Sequence, residues 1–466
     1  MGKGRVQRVL VIGLDCAAPQ FIFGAERFDL PHMQALAANG CWGLLRSCDP
    51  PITVPAWATM MTSKDPGTLG CYGFRNRADY SYREMVTADA SIIREPRVWD
   101  ILSRHGLKSV VLGVPQTYPP KPVNGWLVSG FETPGSSVEY TYPKSLKPEL
   151  ESTLGECLFD VEGFRTNDKA GLLARIHALM ENRFAAARHL MKTKPWDFFM
   201  MVEMGMDRMH HGFWRFCDPE HPAYAPGNPF EHVFREYYRA VDERIGELIS
   251  LAGNDTAVMI VSDHGARPML GGFCINQWLA ETGYLRIDAM PTAPTRFEDC
   301  AIDWDKTTAW SAGGYYARVF LNLAGREPQG VVPPEDYERV RDELAVRLES
   351  LTGPDGNPMG NRVLQPKQVY RTVNGIAPDL LVYAGDLSLR AIGTLGHRSL
   401  FTQENDTGPD DANHDLHGVF ILNERRGAGA GPLVEVNILD VAPTLLEMLG
   451  VEAPGDFQGS ALRDRL

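Results

Sequence analysis

Several things are scarce in this sequence, and each scarcity excludes something. No stretch approaches the roughly 18 to 20 consecutive apolar residues that a membrane-crossing helix needs. The first apolar run, Val9 to Leu14, is closed by Asp15 and is too short even for the core of a signal peptide, so no membrane partner is expected. Cysteine is sparse, eight in 466 residues, with no C-x-x-C pair and no zinc-finger spacing. That usage fits reduced thiols in the cytoplasm. Basic residues are short as well: 46 Lys and Arg stand against 59 Asp and Glu, a net charge of −13. So acidic a surface argues against a nucleic-acid polymer, whose phosphates need a basic face. No repeat of fixed period is present, and 44% hydrophobic with 23% charged residues excludes disorder, collagen and coiled coil. If the substrate is an anion, something local must reverse the field, and metal ions are the usual means.

What is present is an alternation of strands and helices. Continuous apolar runs at Arg8–Leu14, Ser109–Leu112, Phe198–Val202, Ala257–Val261, Leu380–Tyr383 and Val419–Leu422 read as strands buried on both faces, as in a parallel sheet covered by helices. Helical patterns lie between them at Leu30–Asn39, Val98–His105, Gly171–Thr193, Glu231–Ala252, Pro334–Leu351 and Leu439–Leu449. The expected fold is α/β, a doubly wound, mostly parallel sheet with helices on both faces. Residues 272–372 break the pattern with short strand-like pieces such as Tyr316–Leu321 and Gly/Pro turns. They read as an inserted cap between a first core part, 1–271, and a second, 373–466. The run Gly427–Pro432 precedes no helical pattern and reads as a loop rather than a nucleotide cradle.

Candidate chemistry collects at strand ends. Asp15, Asp207 with His211, and Asp263 with His264 each stand just beyond the carboxyl end of a strand, where open α/β sheets bind ligands. Singly, each has an ordinary explanation: a turn cap, an exposed i, i+4 pair, a polar turn. Jointly, at one edge of one sheet, carboxylates mixed with imidazoles are the ligands that zinc or manganese requires. Thr53 stands immediately before a helical run with Pro55 in its first turn. Its hydroxyl would lie in the positive field of a helix start, beside N–H groups able to hold a phosphoryl oxygen.

These pieces, in order, resemble the alkaline phosphatase superfamily in its type I phosphodiesterase/nucleotide pyrophosphatase branch. The resemblance is carried by VLVIGLDCAAP from Val9, PITVPAWATMMTSKDPGTLGCYGF from Pro51, EMGMDRMHHGFW from Glu203 and IVSDHGARP from Ile260. It continues through LNLAGREPQG from Leu321, PDLLVY from Pro378, NHDLHGVFI from Asn413 and ILDVAPTLLEMLG from Ile438. It implies an alkaline-phosphatase-like core and two Zn2+ sites, with Mn2+ as an alternative metal. One site would be Asp15, Thr53, Asp263 and His264; the other Asp207, His211 and His414. His414 is preferred over His417 and His397 because it stands four residues before Gly418, the spacing this resemblance shows. The family's asparagine near the phosphate has no clear counterpart, and Asn76, Arg75, Arg77 and Arg267 are the candidates for substrate contacts.

The implied reaction is cleavage of a phosphodiester or pyrophosphate bond in a small phosphate ester. Two divalent cations against three aspartates leave the site about one positive charge, the reversal that the acidic chain needs. Thr53 Oγ would attack phosphorus to give a phosphothreonine, which water then cleaves. A phosphomonoesterase, or a phosphomutase passing the phosphoryl group to another alcohol, would use the same site. Diesters are expected over monoesters because no arginine lies within Thr53–Phe74 to meet the extra charge of a monoester.

Overall fold

The computed structural model describes residues 7–25, 27–403, 405–424 and 431–462. Among them, a nine-stranded sheet runs in the order Gly431–Asn437, Cys41–Arg46, His417–Asn423, Thr256–Val261, Arg8–Leu14, Phe198–Glu203, Ser109–Val114, Gly125–Ser129, Thr141–Tyr142. All but His417–Asn423 and Thr141–Tyr142 point one way. The central strand Arg8–Leu14 shows why its sequence is apolar throughout. Leu10, Ile12 and Leu14 pack into a core shared with the helices Pro31–Ala38, Lys169–Thr193, Gly205–Cys217 and Val233–Ala252. Val9 and Val11 face the opposite core, with Thr53–Thr62, Val98–Arg104 and Val441–Met448. Alternation along the strand therefore feeds two apolar layers, so a polar residue inside the run would be buried on either face. This is the doubly wound α/β fold with helices on both faces.

A second, smaller sheet stands apart, with its own core of Trp278, Trp310, Val319, Leu344, Leu380 and their neighbours. Its strands Ala309–Ala312, Ala317–Leu321, Leu380–Tyr383 and Arg362–Leu364 are all antiparallel. Leu380–Tyr383, expected among the parallel strands, belongs here. It too is buried on both faces, so composition alone could not say which sheet it joins. Further on, Phe401–Thr402 pairs with Gly272–Cys274. We propose that the inserted part runs from 272 to about 402, beyond the limit of 372 read from the sequence.

Four strands of the main sheet are not among the apolar runs: Cys41–Arg46, Gly125–Ser129, Thr141–Tyr142 and Gly431–Asn437. Cys41–Arg46 alternates buried with half-buried residues, and Gly431–Asn437 is an edge strand. The expected loop at Gly427–Pro432 lies outside the described residues up to 430, and its last two residues open that edge strand.

Candidate metal centre

Three parallel strands deliver acidic residues to one edge of the sheet. Asp15 follows Arg8–Leu14, and Asp263 with His264 follows Thr256–Val261. Phe198–Glu203 leads into the helix Gly205–Cys217, which carries Asp207 in its first turn and His211 one turn later. The i, i+4 spacing puts that pair on one helix face. His414 comes by another route. Its strand, Ala412–Asp415, pairs antiparallel with Gly265–Pro268, placing His414 opposite Ala266. Because His417–Asn423 runs against its neighbours, the residues ahead of it, not after it, lie at this edge. His417 and His397 turn elsewhere, His417 to Glu435 at 2.8 Å and His397 to Thr394 at 2.7 Å. Thr53 is the first residue of the helix Thr53–Thr62, with Ile52 in the cap position, so it sits one step further into the helix than the sequence suggested.

The side chains form two buried groups, Asp207 with His211 and His414, and Asp15 with Asp263 and His264; within each, one ligand atom per residue lies within 4.8 Å of the others. In the first, Asp207 Oδ1 is 3.2 Å from His211 Nε2 and 3.7 Å from His414 Nε2, and the two imidazole nitrogens are 3.3 Å apart. In the second, His264 Nε2 is 3.1 Å from Asp263 Oδ2, 3.9 Å from Asp15 Oδ1 and 3.2 Å from Thr53 Oγ. Tetrahedral zinc with bonds of about 2.0–2.2 Å spaces its ligand atoms about 3.3–3.6 Å apart. The separations in the first group bracket that range.

Partners outside the groups fix which atom of each side chain stays bare. Trp57 Nε1 donates to Asp15 Oδ2 at 2.7 Å, the Cys16 N–H donates to Asp263 Oδ1 at 3.1 Å, and Arg208 donates to Asp207 Oδ2. The other oxygen of each, Asp15 Oδ1, Asp263 Oδ2 and Asp207 Oδ1, is buried and accepts no hydrogen bond. Trp57 can reach Asp15 because the strand has Gly13 there: a Cβ at that position would lie 2.5 Å from the indole. The histidines are treated alike. Nδ1 of His264 faces the Gly265 carbonyl at 3.0 Å, that of His414 the Pro51 carbonyl at 2.8 Å, and that of His211 the Asp410 carboxylate at 2.7 Å. Each Nδ1 is therefore the donor, and each Nε2 turns its lone pair inward. Three orphaned carboxylate oxygens and three inward lone pairs, all buried, are a donor set that fits two divalent cations.

Electrostatics point the same way. Burial and the charges of Asp263 and Asp207 push the Asp15 carboxyl well above its usual range. Burial would lower His211, yet Asp410 and Asp207 lift it to about 9; Asp263 and Asp15 lift His264 likewise to about 9. His414 is depressed well below its ordinary value by burial and by the neighbouring His264. The carboxylates thus draw positive charge in whatever form is offered, and cations would displace the imidazole protons.

A cavity of about 380 Å³ opens onto Thr53, Asp207, His211 and His414. Its far wall is built by residues that no sequence pattern marked, Arg165, Tyr315, Arg318 and Arg390, while Arg208 lines it from beside Asp207. Tyr315 stacks on His211 and His414, with ring centres 4.9 and 4.5 Å apart. Asp410 joins this wall to the metal side, bonding His211 as above, Arg165 at 2.9 Å and the Tyr315 hydroxyl at 3.1 Å. Of the four predicted substrate contacts, only Arg75 lines the cavity. Asn76 spends both ends of its amide on its own turn, on the Tyr72 N–H and the Gly73 carbonyl. Arg77 pairs with Glu327 at 3.0 Å, and Arg267 with Asp415 at 3.0 Å. Although no arginine lies within Thr53–Phe74, other segments supply arginines to the cavity, which weakens the expected diester preference.

A doubly wound sheet bearing two adjacent carboxylate–imidazole groups at its carboxyl edge defines the class: a metal-dependent phosphoester hydrolase of the alkaline phosphatase superfamily. The type I phosphodiesterase/nucleotide pyrophosphatase family model matches residues 9–410, and the chain belongs to that family. Among curated protein sequences none matches it. Solved structures share the fold across nearly the whole chain. Phosphonoacetate hydrolase from Sinorhizobium meliloti 1021, solved with phosphonoformate, is 16% identical with a TM-score of 0.60, and 96% of each chain is covered. Human ectonucleotide pyrophosphatase/phosphodiesterase 5 is 13% identical with a TM-score of 0.55, covering 98% of this chain and 99% of its own. An inactive form of the murine protein, in complex with AMP, is 12% identical with a TM-score of 0.55 and 96% coverage of each chain.

Proposed function

We propose that the protein hydrolyses a phosphodiester or pyrophosphate bond in a small phosphate ester through a phosphothreonine at Thr53, on a site holding two Zn2+. One cation would be held by Asp15, Asp263, His264 and Thr53, the other by Asp207, His211 and His414. The observation that carries the reading is the placement of Thr53 Oγ, 3.2 Å from His264 Nε2 at the start of a ten-residue helix, in the same cavity as Asp207 and His414. When bound, the cations supply Lewis acidity, favouring the ionised hydroxyl and the departing oxygen. The chain's own contribution is position. Thr53 gives its proton to solvent, its Oγ bonds to phosphorus, and the bond from phosphorus to the leaving oxygen breaks. Water then attacks the phosphothreonine, the P–Oγ bond breaks, and the Thr53 hydroxyl is restored. N–H groups of the helix's first turn, which have no partner within the helix, face the phosphoryl oxygens. The names of the relatives, nucleotide pyrophosphatase/phosphodiesterase and phosphonoacetate hydrolase, support a phosphorus-centred hydrolysis. None of the eight cysteines forms a disulfide, which supports a reducing, cytoplasmic setting.

The test is acid quench with substrate in excess, followed by peptide mass spectrometry. For a diester, a phosphorus adduct on Thr53 that still carries the ester group that did not leave is expected, together with two zinc ions per chain by elemental analysis. Thr53→Ala should lower kcat by roughly 10³ or more with the zinc retained. Turnover near the wild-type level in that variant, or no more than one metal per chain after reconstitution, would refute the reading. The arginine wall favours a second reading, hydrolysis or transfer of a monoester phosphoryl group. A kcat/KM ratio below one for bis-p-nitrophenyl phosphate against p-nitrophenyl phosphate would select it.

A further inference from the structure

This acidic chain gathers arginines in one place. A second cavity, of about 330 Å³, adjoins the first and shares with it Arg75, Gly313, Gly314, Arg318 and Arg390. Six arginines line it against the carboxylates Glu298 and Asp406. Three of them are neutralised at short range: Arg77 by Glu327 at 3.0 Å, Arg296 by Asp299 at 2.8 Å and Arg390 by Asp406 at 3.3 Å. Among the described residues, Arg75 and Arg318 have no carboxylate partner; Arg318 donates only to the carbonyl of Arg75. Arg390 stands where the two cavities meet. Its side chain is 7% exposed, and its Nη1, 4.0 Å from Asp410 Oδ2, makes no hydrogen bond. A buried guanidinium N–H without an acceptor is costly, and an incoming oxyanion removes that cost.

The passage between the cavities is built to stay open. Gly313 is required by close approach, since a Cβ there would lie 2.5 Å from the Ala391 carbonyl oxygen. At Gly314, where φ is +144°, a Cβ would meet nothing nearer than Tyr316 O at 3.6 Å. Of the aromatic rings lining the second cavity, Trp310 and Phe320 lie beneath Arg77 and Tyr82 stacks on Trp304, while Phe297 meets Trp304 edge-on. Recognition there is by charge, not by stacking of a base.

We propose that the substrate carries a second oxyanion, remote from the reacting phosphorus, held by Arg75, Arg318 and Arg390 while the phosphoryl group sits over Thr53. Guanidinium forks match a carboxylate or a phosphate, which share this chemistry. The inference rests on the phosphohydrolase reading above.

The experiment measures affinities by titration calorimetry on the zinc-loaded Thr53→Ala protein, which binds without turning over. The probes are phenyl phosphate and methyl phenyl phosphate, each with and without a second anion on the ring, either carboxylate or phosphate, meta to the ester oxygen. Zinc-dependent binding of a plain ester is required by the phosphohydrolase reading, and its absence overturns that reading and the inference with it. The second anion should tighten binding roughly tenfold or more, as charge-assisted hydrogen bonds do. Which anion gives the larger ratio tells carboxylate from phosphate. Arg75→Met and Arg318→Met, both near the surface, should each reduce the ratio at least threefold, roughly half of one such bond's effect on a logarithmic scale. If plain esters bind and neither ring anion raises affinity, the subsite is refuted while the phosphohydrolase reading stands. A ratio that survives both arginine substitutions refutes the assignment of these residues.

Discussion

The two walls of the cavity are made differently. On the sheet side every carboxylate and imidazole has one atom tied to an outside partner and one left bare, and all are buried. On the facing side the groups are long guanidiniums drawn from both the insertion and the core, with Arg75 exposed and Arg318 half-buried. The first wall resists movement because each ligand candidate is held by hydrogen bonds in a low-dielectric setting. The second can tolerate change, since flexible cations near solvent bind by charge more than by exact placement. On the proposed reading, chemistry belongs to the sheet and choice of substrate to the arginine wall.

The comparison is most strongly broken by removing a group from the sheet wall. Asp207→Ala or His414→Ala should lose one zinc per chain and roughly 10³ or more in kcat/KM, read by elemental analysis and steady-state kinetics. Trp57→Phe leaves all seven buried ligand candidates in place but frees Asp15 Oδ2. It should cost roughly 10- to 100-fold in zinc affinity or rate, the usual effect of a partner behind a ligand. Tyr315→Phe keeps the ring against His211 and His414 and removes the hydroxyl from Asp410 and Arg165. A loss of less than about tenfold is expected, on the scale of one hydrogen bond; a loss as large as that of Asp207→Ala would show that the walls are not distinct.

The smallest effect on catalysis comes from Glu132, a half-buried residue whose Oε1 accepts from the Gln116 N–H and whose Oε2 is buried and accepts no hydrogen bond. Burial raises it to about 7. The folded state therefore keeps a proton that the unfolded chain releases near pH 4.5, and must ionise the buried group as pH rises through 7. Stability should fall between pH 5 and pH 8, by up to about 3 kcal/mol from this group. Glu132→Gln should show a smaller fall in urea unfolding at the two pH values. Equal falls would mean that Glu132 ionises freely in the fold.

Much of the sheet wall is legible in the sequence because a strand buried on both faces must be apolar and must stop at its first polar residue. That is why Asp15 and Asp263 announce themselves. His414 is legible only through the spacing to Gly418, since it precedes the apolar strand His417–Asn423. Asp410 could have been found from the acidic pair it forms with Asp411 just ahead of that histidine. The arginine wall had no such signal. Arg75, Arg165, Arg318 and Arg390 come from four distant segments that meet only when the insertion folds over the sheet edge. Leu380–Tyr383 misled for a related reason, because two separate cores both ask for apolar strands.

The reversed direction of His417–Asn423 has a consequence for how the protein matures. His414 lies beyond the whole insertion, and its strand must pair with Gly265–Pro268 before the group around Asp207 gains its third member. During synthesis, a chain that has emerged only as far as the insertion already holds Asp15, Thr53, Asp207, His211, Asp263 and His264, yet half the centre is short of a ligand. The site is closed by a segment made only after the whole insertion, so the nascent chain carries no finished centre until the insertion has been synthesised and Ala412–Asp415 has paired.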